Sequence, residues 1–239
     1  MRVIILAGGR GTRLAEETSI IPKPMVEIGG KPMLWHIMNS YARQGFSDFL
    51  IATGYLAEII EGWASSLKES WTVATQFTGL ETQTGGRLRQ CVLASSDDRF
   101  LATYGDGLAN VNIAKLLSAH KSGEYIATLT AVRPPARFGV VEISNGRVSH
   151  FGEKLQADSG WINGGFFVLE RKISDYIHSD DEPFESGALP RLSEEGKLGA
   201  HEHFGFWKPM DTLREKIEFQ ELISQPSWPW LEIGNGDNE

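Results

Sequence analysis

Residues 3–6, Val-Ile-Ile-Leu, form a short apolar run rich in β-branched side chains, and Ala7, Gly8, Gly9 and Gly11 follow at once. An apolar run of that length reads as a buried strand. Glycines directly after it let the backbone turn tightly and bring bare N–H groups close to an anion. Arg13 stands just behind them, and Lys23 lies further on between Pro22 and Pro24. The two prolines are expected to stiffen that segment and hold it extended. A strand end, a glycine cradle and two cations on constrained backbone make a phosphate site. The loop is not a P-loop, because no Gly-Lys-Ser/Thr follows the glycines. Nor is it the dinucleotide fingerprint, since Leu14 stands where a third glycine is required. The competing reading is an ordinary glycine-rich turn with solvated Arg and Lys.

Beyond this loop the chain alternates strand and helix. Met33, Leu34, Ile37, Met38 and Tyr41 recur at helical spacing after Pro32, and Gly45 is a natural stop. A strand is predicted over 48–53. A helix carries Ile59, Ile60, Trp63 and Leu67, and a third strand covers 71–77. That alternation predicts an α/β fold with a doubly wound, mostly parallel sheet, whose ligands sit outside the carboxyl ends of the strands. Residues 79–87 are either a connecting loop or a second wall of the pocket, with Arg87 on phosphate or ribose. The strand at 100–104 runs into Gly105-Asp106-Gly107. That carboxylate suits a magnesium ion with few protein ligands, and Asp-Gly is also a common turn. Asn112 reads as a helix cap.

The second half reads as β-rich. Strands are expected at 125–132, 139–143 and 147–151, the last two joined by Asn145-Gly146, a strong hairpin dipeptide. Glycines within the strand at 161–169 suggest close approach of a ligand. Helices are predicted over 172–178 and 186–195, and a strand over 198–204. Thr212-x-x-Glu215 fits a capping box for the helix with Leu213, Ile217 and Leu222. Asp211, just outside that helix, is either a local cap or a second metal ligand partnering Asp106. Trp228-Pro-Trp230 reads as an apolar clasp on the surface or on a neighbouring subunit. No linker composition divides the chain. It reads as one domain over 1–224, with a mainly nucleotide-binding half (1–122), a mainly acceptor half (123–224) and a tail from 225 to 239.

Composition narrows the partners. A net charge of −8 argues against a nucleic-acid or membrane-surface binder, so an anionic substrate must be held by local cations. The one cysteine, Cys91, excludes an internal disulfide framework, fits a reducing cytosol and reads as a packing residue. No run approaches the roughly 20 apolar residues of a membrane span. The start is too short for a signal peptide, so a cytoplasmic location is expected.

Leu6-Ala-Gly-Gly-Arg-Gly-Thr-Arg-Leu14 with Pro22-Lys23-Pro24-Met25 resembles the signature of the sugar-1-phosphate nucleotidylyltransferases. Within that superfamily, the strings at 17–36, Thr84-Gly-Gly-Arg-Leu88, Thr103-Tyr-Gly-Asp-Gly107, Arg137-Phe-Gly-Val-Val141, Ile162-Asn-Gly-Gly-Phe-Phe167 and 205–214 are similar to the glucose-1-phosphate cytidylyltransferase branch. The resemblance implies a Rossmann-like sheet of the nucleotide-diphospho-sugar transferase type with a small β-rich acceptor or lid region. It implies that CTP and α-D-glucose 1-phosphate become CDP-glucose and pyrophosphate with Mg2+ as cofactor, and that the chain is a homo-oligomer. Leu6, Ala7, Gly8, Gly9, Arg10, Gly11 and Thr12 would cradle the base and phosphates. Arg13 would hold the β and γ phosphates and Lys23 the α phosphate. Thr82, Arg87 and Gly105 would touch the nucleotide, and Asp106 and Asp211 would hold the metal. Lys154 would bind the sugar phosphate, with Gly139, Glu153 and Asn163 on the sugar. The segment between Lys68 and Thr84 is shorter than the branch's pattern, which leaves sugar and oligomeric state open. Transfer to another phosphorylated acceptor, or nucleotide binding without turnover, remain the alternatives.

Overall fold

The computed structural model describes residues 1–11, 18, 20–134, 139–144, 146–153 and 160–233, with side chains for all of these except 139–143 and 150–153. In chain order the first half contains β1 (Val3–Leu6), β2 (Glu27–Ile28), β3 (Lys31–Pro32), α1 (Met33–Ala42), β4 (Asp48–Thr53), α2 (Ala57–Ser66), β5 (Thr72–Phe77) and α3 (Thr84–Ala94). It continues through β6 (Arg99–Tyr104), β7 (Gly107–Ala109), α4 (Ile113–Lys121) and β8 (Ala127–Val132). The second half adds β9 (Gly139–Ser144), β10 (Arg147–Glu153), β11 (Ile162–Glu170), α5 (Ala188–Glu194), β12 (Leu198–His203), β13 (Trp207–Pro209) and α6 (Leu213–Ile223).

Seven of these strands form one sheet in the order β12-β8-β11-β6-β1-β4-β5. The pairs β6–β1, β1–β4, β4–β5 and β8–β12 are parallel, while β11 runs antiparallel between β6 and β8. The expected mostly parallel, doubly wound sheet is therefore present. Its inner strands β1, β4 and β6 bury both faces, as parallel strands under helices do, while the edge strand β5 is not buried. Val3, Ile5, Phe49, Ile51 and Leu101 face a core built with Met33, Leu34, Ile37, Met38 and Tyr41 of α1. Ile4, Leu50, Ala52, Phe100 and Ala102 face a second core with Leu88, Cys91 and Val92 of α3. Cys91 is a packing residue, and burial pushes its thiol up to about 12.

Three expectations need correction. The segment at 172–178 is a 3-10 helix, Arg171–Tyr176. Lys23–Met25 is also a 3-10 turn, closed by Met25 N–H donating to the Pro22 carbonyl at 2.8 Å, so only Pro22 is extended. Pro24 lies at the start of that turn, where its fixed φ fits and its missing N–H needs no partner. The third concerns the tail, which is no surface clasp. Trp230 is fully buried, 5.6 Å from the ring of His36, 5.8 Å from Phe219 and 5.7 Å from Trp228. An indole gains more by filling that aromatic hollow than by lying on the surface.

Candidate active site

The loop after β1 lies at the carboxyl end of the sheet, pinned by its neighbours. Ala7 N–H donates to Ala52 at 2.9 Å, Tyr55 N–H to Gly8 at 3.1 Å and Gly105 N–H to Leu6 at 3.0 Å. Behind it, Arg87 of α3 is buried. Its Nη1 donates to Thr53 O at 3.0 Å, Thr78 Oγ1 at 2.6 Å and Gly79 O at 2.8 Å. A Cβ on Gly8 would stand 2.3 Å from that guanidinium, and one on Gly54 2.5 Å from it. Arg87 thus braces the glycine loop against the 78–80 wall, and burial lowers its pKa. Thr82 lines the same wall and donates its hydroxyl to Thr78 O at 2.6 Å. At the mouth, Arg10 pairs with Glu81 at 2.5 Å and lies 5.7 Å over the Tyr55 ring.

These walls enclose a cleft of about 290 Å³, lined by Leu6 to Gly9, Gly11, Lys23, Pro24, Thr82 to Thr84, Arg87 and Tyr104 to Asp106. On its floor three charged side chains meet. Lys23 Nζ donates to Asp106 Oδ2 at 2.8 Å and to Asp211 Oδ1 at 2.6 Å, and the lysine side chain is only 8% exposed. Local structure dictates that meeting. β7 and β13 pair antiparallel, Gly107 opposite Pro209, and Met210 N–H donates to the Asp106 carbonyl at 2.8 Å. Residues 105 apart in sequence are thereby fixed side by side. Thr212 is the N-cap of α6 and Glu215 closes the capping box, its Oε2 accepting from the N–H groups of Thr212 at 2.9 Å and Asp211 at 2.6 Å. Glu215 takes the backbone N–H groups at this helix start, and the Asp211 carboxylate accepts from Lys23.

Two carboxylates meet one ammonium here, with the Lys23 and Asp211 side chains largely buried and Asp106 a third exposed. Paired carboxylate oxygens suit a hard divalent ion whose other ligands are phosphate or water oxygens. Among the described residues no group of three or more His, Cys, Asp or Glu side chains clusters to hold a metal.

The acceptor side is partly described. β9 and β10 form the expected antiparallel pair, with Gly139 opposite Glu153. Thr12, Arg13 and Lys154 lie outside the described residues, as does the Glu153 side chain. Asn163 is on β11, its Nδ2 donating to the Tyr104 hydroxyl at 3.1 Å. The two glycines after it admit protein, not ligand. A Cβ on Gly164 would stand 2.7 Å from Val132, and one on Gly165 2.4 Å from the Tyr104 ring. Gln83, Thr84 and Tyr104 also line the cleft. Nothing in their own spacing marks them, although Thr84 and Tyr104 fall inside the motif strings. Among the described residues no helix is long and apolar enough to cross a membrane.

The chain is similar to known proteins over nearly its whole length. Residues 2–236 match the family described as nucleotidyl transferase. A glucose-1-phosphate cytidylyltransferase of Salmonella typhi is 43% identical over 253 aligned positions, which take in 96% of this chain and 98% of that protein. A probable glucose-1-phosphate cytidylyltransferase of Bacillus subtilis is 37% identical, with 96% and 99% covered. The solved structure of HddC from Yersinia pseudotuberculosis, also solved complexed with GMP-PN, superposes with a TM-score of 0.74 at 28% identity, covering 92% of this chain and 98% of that one. The 253 aligned positions exceed the 239 residues here, so the Salmonella protein carries positions that this chain lacks. With a cleft of this build and a match that runs almost end to end, the chain belongs to the nucleotidyl transferase family of sugar-1-phosphate nucleotidylyltransferases.

Proposed function

We propose that the chain transfers the cytidylyl group of CTP to α-D-glucose 1-phosphate, forming CDP-glucose and releasing pyrophosphate. The observation that carries the reading is Lys23, held between Asp106 and Asp211 on the floor of a glycine-walled cleft. The 43% identity to a glucose-1-phosphate cytidylyltransferase supports the choice of base and sugar. A sugar-phosphate oxygen attacks the α phosphorus in line with the departing pyrophosphate. That phosphate is already ionised near neutral pH, its second pKa being about 6, so no general base is needed. The obstacle is repulsion between two polyanions. The N–H groups of residues 8–11 and the cations Arg10 and Arg13 receive the triphosphate, Lys23 the α phosphate and Lys154 the sugar phosphate. Lys23 reaches its phosphate by releasing one of its carboxylates. Arg87 and Thr82 keep the far wall in place, Gly105 lies under the ribose, and Gly139, Glu153 and Asn163 take the sugar. Asp106 and Asp211 would hold Mg2+, which when bound supplies charge neutralisation at the phosphates.

One observation favours a second base, the complex of HddC with GMP-PN. Four nucleoside triphosphates assayed against several sugar 1-phosphates with Mg2+ separate the two, read as pyrophosphate release. The reading expects CTP with glucose 1-phosphate to be the preferred pair. Preference for GTP, or binding of CTP with no release from any acceptor, contradicts it. A homo-oligomer, as the family resemblance implies, and a cytoplasmic location, as the single cysteine suggests, complete the reading. A monomer in sedimentation velocity at assay concentrations would remove the assembly from it.

A further inference from the structure

Four side chains form one hydrogen-bonded chain beside the cleft, Thr84, Glu185, Tyr104 and Asn163, and of these the proposed reaction gives a role only to Asn163. Thr84 opens α3 on the nucleotide wall. Its hydroxyl accepts from Phe184 N–H at 2.9 Å and donates to Glu185 Oε2 at 2.7 Å. The other carboxylate oxygen, Oε1, accepts a hydrogen bond from the Tyr104 hydroxyl at 2.5 Å. The phenol oxygen in turn accepts from Asn163 Nδ2 at 3.1 Å. Gly165 N–H donates to Asn163 Oδ1 at 2.9 Å, which fixes which end of that amide is the donor.

The backbone is built to allow this. Gln83 N–H donates to Asp180 O at 2.8 Å and Gly85 N–H to Glu182 O at 3.1 Å, so the 180–185 segment lies flat on the start of α3. A Cβ on Gly85 would stand 2.5 Å from Glu182 O, and one on Gly86 2.4 Å from Asp180 O. Gly165 has φ of +83° as well as its close approach to Tyr104. Three glycines thus fit the segments that place Glu185 and Asn163 on either side of one phenol.

We propose that Glu185 is a positioning residue for the sugar phosphate, acting through Tyr104 on Asn163. With its proton committed to Glu185, the phenol can serve Asn163 only as an acceptor. One N–H of Asn163 is thereby held, and its amide presents the second N–H to a hydroxyl of the sugar. The inference rests on the proposed reaction and on the place of Asn163 on the sugar.

Steady-state kinetics in both substrates test it, with Glu185→Gln, Tyr104→Phe and the double variant. Tyr104→Phe keeps the ring that packs 5.7 Å from Phe167 and removes only the hydroxyl, so it reports even where Glu185→Gln folds poorly. The KM for sugar phosphate should rise on the order of 10-fold in each single variant, the scale of a lost hydrogen bond to a charged group. The KM for CTP should stay near wild type, and the double variant should be no worse than either single one. An unchanged sugar-phosphate KM, an equal rise in both KM values, or additive effects in the double variant would overturn the positioning role. If the wild type turns over no sugar 1-phosphate, the reaction itself is wrong and the positioning role falls with it.

Discussion

Lys23 occupies a place where two negative side chains would otherwise face each other across the cleft floor. At 2.8 Å and 2.6 Å from Asp106 and Asp211, its ammonium is shared, not captured by either. A shared cation can give up one partner to an incoming phosphate more readily than one locked in a bidentate pair. Lys23→Ala should therefore lose on the order of 100-fold or more in turnover while the fold persists, measured as pyrophosphate release alongside circular dichroism. Near-normal turnover would remove Lys23 from the chemistry. Other buried polar residues act on stability. His36 is fully buried with its Nε2 2.9 Å from the Ile28 carbonyl, and His120 bridges Thr128 and Glu170. Burial lowers both imidazole pKa values. The unfolded chain then takes up protons first as pH falls below about 6.5, so these groups' contribution to stability declines on acidification. Urea melts at pH 5.5 and 7.5 should show that decline, and His36→Gln should make it shallower. An equally steep decline in the variant would exclude His36 as a source.

At the scale of elements, what the chain discloses depends on length and on what lies opposite. β1 and β4 have the bounds their unbroken apolar runs suggest, because a strand buried on both faces needs no partner's sequence to be recognised. β7 and β13 are three residues each and carry no periodicity, yet their pairing brings Asp106 beside Asp211. Both carboxylates were legible as candidates from their flanking glycines and capping box, whereas the ladder joining them was not. Glu185 was not legible at all, since an exposed carboxylate after a turn looks like any other until Tyr104 and Thr84 meet it. The burial of the tail was hidden for a related reason. Trp230 fills a hollow made by His36 of α1, Phe219 of α6 and Phe206, three segments far apart in sequence. Trp230→Ala should cost about 3–5 kcal/mol in chemical denaturation, the range for truncating a buried aromatic. A loss below about 1 kcal/mol would mean the hollow collapses without it.

Over the whole molecule, a chain of net charge −8 must bring two further anions together. The overall field opposes that, so positive groups have to be concentrated at one sheet end, where glycine N–H groups, Lys23 and the mouth arginine Arg10 are found. The sheet supplies the place, the β7–β13 pair supplies the carboxylates, and a divalent ion between them would complete the neutralisation. The most direct test is the rate of pyrophosphate release from CTP and glucose 1-phosphate as Mg2+ is raised from zero, for wild type and Asp211→Asn. Wild type should release none in excess chelator and saturate with Mg2+, while Asp211→Asn should need more Mg2+ and remain on the order of 100-fold slower at saturation. Release that persists in chelator, or an Asp211→Asn curve that overlays wild type, would contradict the account.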